Sequence, residues 1–217
     1  KRVKIALGVV ATVTIFAVIY GSVKGVDELK DIILGNEMRS LSEGRWIKSE
    51  YGSPLIVLET PQVLTRIQDS LVTKSVSIKR KSLFTYGEIQ ESLYIKVSAL
   101  KFSQEQKLEL ESSLDMALVL LEKSGAKNLL VKRDDFETEN GIKGIKAYGD
   151  FYLKISENKI LKKKSTYELL LFAQENGLQE VLVIYQDDGR FAESIKDRII
   201  NSIELEFTQE NKKKNEQ

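Results

Sequence analysis

The 217-residue chain contains no cysteine and no histidine. Disulfides, thiolate nucleophiles, Ser-His-Asp and Cys-His arrangements and the common zinc ligand sets are therefore excluded, leaving mainly carboxylate or lysine chemistry. An excess of one charge is also missing: 33 Lys and Arg stand against 32 Asp and Glu. Four of the basic residues, Lys1, Arg2, Lys4 and Lys24, precede the first acidic one, so the rest of the chain carries 29 basic and 32 acidic residues, a balance of −3. A domain of that sign is not built to attract polyanions, and no nucleic-acid partner is expected.

A further absence is positional, because no charged residue occurs from Ile5 to Val23. At ~1.5 Å per residue this apolar run crosses most of a ~30 Å hydrocarbon core, and residues 1–24 are expected to form a transmembrane signal-anchor. A cleaved signal peptide fits less well: no A-x-A-like triplet follows Val18, and there is no cysteine for a lipoprotein anchor. Basic residues before the run put the N-terminus in the cytoplasm. The expected location is the cell membrane, single-pass, with the rest of the chain outside.

Residues 25–43 read as a stalk. Val26, Leu29, Ile32 and Ile33 recur at helical spacing before Gly35, Asn36, Ser40 and Ser42 loosen the pattern. A short amphipathic helix at the bilayer surface and a segment packed on the domain both fit.

From Trp46 the period becomes alternating. Leu55–Thr60 reads as a strand stopped by Pro61, and Val63–Leu71 as a short helix or loop. Val76 and Ile78 alternate with Ser77, Lys79 and Lys81; Leu93, Ile95, Val97 and Ala99 share one strand face, giving a hairpin around Gly87. Ser103 with Gln106 has capping-box spacing ahead of a stripe of Leu110, Leu114, Ala117, Leu118 and Leu121, with Gly125 as the stop. Asn140-Gly141 marks a second hairpin between Asn128–Glu137 and Ile142–Lys154.

Tyr167–Gln174 suits a buried strand, but Ser165 and Glu168 repeat the capping-box spacing, which favours a short helix. Leu178–Tyr185 reads as a buried strand. A last helix after Asp187-Asp188-Gly189 buries Phe191, Ala192, Ile195, Ile199 and Ile203, with Glu193, Lys196, Asp197 and Asn201 opposed. The tail 208–217 has no apolar residue and reads as disordered. The expected fold is α+β, an antiparallel sheet of about six strands covered by helices behind one N-terminal transmembrane helix, with the domain over 44–207.

Three segments carry a family resemblance: SLFTYGEIQESLYIKVSAL at Ser82–Leu100, GIKGIKAYGDFYLK at Gly141–Lys154 and LVIYQDDGRFAESIKDRIINSIEL at Leu182–Leu205. On them the chain resembles the PsbP-like α/β/α sandwich proteins, which include the photosystem extrinsic subunit and DcrB-type bacterial envelope proteins. The resemblance implies a non-enzymatic binding or scaffolding module of a larger assembly, and it carries no specific partner.

No catalytic, cofactor or metal residues emerge. Asp134, Asp135, Glu137 and Glu139 lack the ligand order and central glycine of an EF-hand and read as a solvated hairpin. Lys79-Arg80-Lys81 and Lys162-Lys163-Lys164 could meet anionic lipid, although alternation makes Lys79 and Lys81 an ordinary polar strand face. Trp46, Tyr148, Phe151 and Tyr152 are the candidate ligand or partner residues, with core packing as the competing reading. Two functions remain: an interaction or scaffold module of an envelope complex, and a binder of a small apolar or lipidic ligand between sheet and helices.

Overall fold

The structure is a computed structural model that describes residues 37–67, 78–104, 108–156, 159–174, 177–186 and 190–206. The expected anchor over 1–24, the Asp187-Asp188-Gly189 turn and the tail 208–217 lie outside the described residues. Among the described residues no helix is long and apolar enough to cross a membrane.

The fold is mixed α+β and dominated by antiparallel strands. In chain order it runs α1 (Glu37–Glu43), β1 (Ile47–Tyr51), β2 (Ile56–Thr60), β3 (Thr65–Arg66), β4 (Ile78–Tyr86), β5 (Leu93–Phe102), α2 (Leu110–Lys123), β6 (Ala126–Lys127), β7 (Lys132–Glu137), β8 (Lys143–Ser156), β9 (Lys159–Gln174), β10 (Gly177–Tyr185), α3 (Arg190–Asn201) and β11 (Glu204–Leu205). An eight-stranded sheet has the order β3-β4-β5-β10-β9-β8-β6, with β7 also on β8, and β1-β2-β11 form a separate small sheet. The expected single sheet of about six strands is thus two sheets.

Alternation along the strands divides the core in two. Ile95, Val97, Leu170, Phe172, Val181 and Val183 face one side of the large sheet, where they meet Met38 of α1, Ile56 and Leu58 of the small sheet, and Ile195 and Ile199 of α3. Phe151, Tyr167, Leu169, Leu171 and Ile184 face the other, under Leu114, Leu118 and Leu121 of α2. Each such buried side chain stabilises the fold by roughly 1.5–3 kcal/mol relative to exposure. Met38 is 2% exposed, so residues 37–43 of the presumed stalk contribute to the core.

Two local expectations are corrected. Tyr167–Gln174 belongs to strand β9, not a helix: β8 and β10 flank it, and Leu169 and Leu171 pack on one face while Leu170 and Phe172 pack on the other. With both faces buried the period-2 signal vanishes, and a continuous apolar run remains. Helix α2 starts at Leu110 rather than Ser103, and Glu109 precedes it with no side-chain capping bond. Its end is as expected, with Gly125 at φ +114° just beyond.

The Asn140-Gly141 turn joins β7 to β8; Thr138 N–H donates to Ile142 O at 3.0 Å, and Gly141 has φ +79°. The hairpin around Gly87 joins β4 and β5. Lys79 falls at a register break between Ile78 and Arg80, so the simple alternation expected of Lys79 and Lys81 is interrupted there.

Candidate functional site

The four candidate residues do not converge on one cleft. Phe151 is fully buried beneath α2, its ring 6.2 Å from that of Tyr167. Trp46 lies in the other layer, where its Nε1 donates to Ser42 O at 3.3 Å and the Arg198 guanidinium stacks 4.4 Å from its ring centre. Tyr148 and Tyr152 alternate with Phe151 along β8 and so point to the sheet face opposite α2. Lys146 and Lys132 approach the Tyr148 ring at 5.0 and 5.9 Å. A hydrogen bond to Asp134, then partial desolvation, raises the Tyr148 phenol above its ordinary pKa.

Beside Tyr148 the same face carries an ionic cluster. Glu168 of β9, almost buried, lies 3.3 Å from Lys196 of α3 and 3.8 Å from Lys146 of β8. Lys196 also meets Asp197 at 2.5 Å, and its side chain is only 17% exposed. The residue expected on the solvent face of the last helix is therefore held against the sheet. Burial lowers the Lys196 pKa, but bonds to Asp197 and Glu168 outweigh it and the net shift is upward. Tyr185 is pushed up to about 12, chiefly by burial, with Lys196 acting in the opposite sense. Both shifts favour the protonated forms. The cluster joins α3 to the sheet.

The opposite face presents a different surface. Helix α2 exposes Met116 (67%), Val119 (46%) and Leu120 (54%) in spacings of three and four residues, which groups them on its outer side. The Leu120 flank borders a pocket of about 80 Å³ lined by Ile89, Tyr94, Lys96, Glu180 and Leu182. Its floor is polar but paired, with Lys96 Nζ 2.5 Å from Glu180 Oε1 and Ser98 Oγ donating to Glu180 Oε2 at 3.0 Å. Burial, then the Glu180 charge, raises the Tyr94 pKa. Sequence periodicity assigned α2 its buried stripe and passed over this outer crest. The signal was present in the segment Leu114–Leu121, which is apolar nearly all round.

Asp134, Asp135 and Glu137 are exposed on β7, and among the described residues no group of three or more acidic side chains is placed to hold a metal ion. In the second basic cluster, Lys164 pairs with Asp150 at 3.2 Å.

No family model matches the sequence, and no curated protein matches it. A solved crystal structure from Bacteroides thetaiotaomicron VPI-5482 is similar with a TM-score of 0.36 and 15% identity, over 76% of this chain and 49% of that one. The chain thus spans about half the length of that protein. A likeness of this size fixes neither family nor function.

Proposed function

We propose that the chain is a non-enzymatic, membrane-anchored interaction module whose domain works outside the cytoplasm as part of an envelope complex. The observation that carries this reading is the exposed Met116, Val119 and Leu120 crest of α2 beside its pocket. Apolar side chains grouped in this way on a soluble surface are a mark of partner contact. The uncharged run Ile5–Val23 behind Lys1, Arg2 and Lys4 supports the location. The mutual pairing of Lys146, Glu168, Lys196 and of Lys96 with Glu180 supports a non-enzymatic role, because it ties up side-chain types on which catalysis here would depend. The second reading, an apolar or lipidic ligand, calls for a cavity of roughly 300 Å³ or more; the pocket beside α2 encloses about 80 Å³.

The test is mild-detergent capture of the full chain and of a Met116→Lys/Leu120→Asp variant, followed by mass spectrometry of what co-purifies. Loss of protein partners from the variant, with its circular dichroism unchanged, is expected. Identical partner sets would remove α2 from the interface. A lipid retained by both proteins without any protein partner would favour the second reading.

A further inference from the structure

Strand β7 is an open edge of the large sheet, pairing with β8 and with no other described strand. The β7–β8 register runs from Lys132↔Tyr148 to Glu137↔Lys143. Leu130 N–H donates to Asp150 O and Thr138 N–H to Ile142 O, which carries the same register two residues beyond Lys132 and one beyond Glu137. In an antiparallel ladder, residues alternate between bonding their partner strand and pointing away from it. The even-numbered residues from Leu130 to Thr138 bond β8. The backbone N–H and C=O groups of Val131, Arg133, Asp135 and Glu137 therefore point outward, where no described strand meets them. The edge is exposed from Leu130 to Asp135, with Leu130 at 64% and Val131 at 40%.

Charge on an edge strand ordinarily deters pairing, but on β7 the order of the charges selects one pairing. We propose that β7 pairs antiparallel with β7 of a second copy of this chain, about a two-fold axis normal to the sheet at Arg133. Such an axis keeps each sheet face in register with itself, so residues opposed across it share a face. Lys132 then opposes Asp134 of the second copy, and Leu130 opposes its Phe136. Both pairs occupy the closer, non-hydrogen-bonded positions, where opposite charges and apolar side chains each stabilise the pairing. The two Arg133 side chains meet at the axis already balanced, each bonding Glu111 at 2.9 Å and Asp115 at 2.5 Å on α2 of its own copy. Moving the axis to Asp134 would oppose two aspartates at the closer spacing, with no cation between them.

The seven residues of each strand from Leu130 to Phe136 bury less than the roughly 1,200 Å² of a standard interface, so the dimer is weak and reversible, and tethering both copies to one membrane would favour it. The proposal does not depend on the α2 crest. Leu120 lines the pocket with Tyr94 and Lys96, whereas Glu111 and Asp115 reach towards β7 from the other flank of the helix.

Because the native chain has no cysteine, one engineered thiol reports the register. In the full chain, Arg133→Cys places two thiols on strands with Cα atoms about 5.5 Å apart, inside the disulfide range. Oxidative dimerisation is expected to run roughly tenfold faster than for the exposed control Val63→Cys. Asp134→Cys, about 7–8 Å from its own copy on the diagonal, should stay at the control rate. Adding Lys132→Asp to Arg133→Cys should return it to the control rate, and adding Asp134→Lys as well should restore fast cross-linking. The proposal is overturned if Arg133→Cys cross-links no faster than Val63→Cys, if Asp134→Cys outpaces it, or if the charge swap restores nothing.

Discussion

Glu168 of β9 and Lys196 of α3 stand 3.3 Å apart at the edge of an interface that is otherwise made by Ile195, Ile199 and Ile200. The last helix is therefore held by two kinds of contact, and they should fail differently. Ile199→Asp forces an unpaired charge into the apolar part and should destabilise the domain by several kcal/mol, on the order of 3–5. Lys196→Met leaves Glu168 with Lys146 alone at 3.8 Å and should cost about 1–3 kcal/mol. A Glu168→Leu/Lys196→Met double variant should recover part of that loss. Urea denaturation of the four proteins measures the order; equal tolerance of Ile199→Asp and Lys196→Met would contradict the packing described.

Tyr167 and Tyr185 give the domain an alkaline limit. Burial pushes both phenols up to about 12, above the ordinary value near 10 that they regain on unfolding. The folded state thus holds a proton that the unfolded state has lost, and stability falls as pH rises from about 10 to about 12. The contribution is fully present below about pH 10. Absorbance titration at 295 nm should show these two ionising last, and Tyr185→Phe should flatten the loss of melting temperature in that window.

Helix α1 makes the N-terminal boundary measurable. Truncation before Glu37 should leave a cooperative domain, whereas truncation before Gly44 removes Met38, which is buried against the α3 layer. Met38→Ala in the full chain should cost about 2–5 kcal/mol. Chemical denaturation of the two truncations and the point variant tests this; indistinguishable midpoints would mean that α1 does not belong to the core.

Gly144 on β8 lies where a side chain cannot. An added Cβ would come within 2.5 Å of Leu171 O and of the Phe172 ring, itself in edge contact with Phe136 at 5.9 Å. Gly144→Ala should therefore destabilise the domain by about 1–3 kcal/mol through overpacking, read as a lower melting temperature.

Much of this architecture is legible in the chain because it is written in local chemistry. Ile95, Val97 and Ala99 alternate with Tyr94, Lys96 and Ser98, and Gly141 and Gly125 supply the positive φ that their turns need. What escaped was decided by contacts distant in sequence. Tyr167–Phe172 lost its alternation because both faces of β9 are covered, and the Ser165–Glu168 spacing imitated a helix start although Glu168 is engaged by Lys146 and Lys196. The candidate aromatics were named by type, and type does not tell Phe151 in the core from Tyr148 at the surface. The Met116–Val119–Leu120 crest escaped because periodicity finds the face a helix hides, not the apolar residues it leaves outside.

Strand β11 pairs Glu204 with Val57 and Leu205 with Ile56, while Asn140 and Gln174 donate their side-chain amides to Leu205 O and Glu206 O at 2.6 and 2.8 Å. One wall of the domain is thus completed by a strand made after every other described strand. Until it emerges, β2 lacks one neighbour, and Ile56 and Leu58 lack the Leu205 part of their cover. A nascent chain halted before residue 204 would display a sticky, half-built small sheet to chaperones and proteases, so closure of this sheet waits on a segment made about 150 residues after β1 and β2.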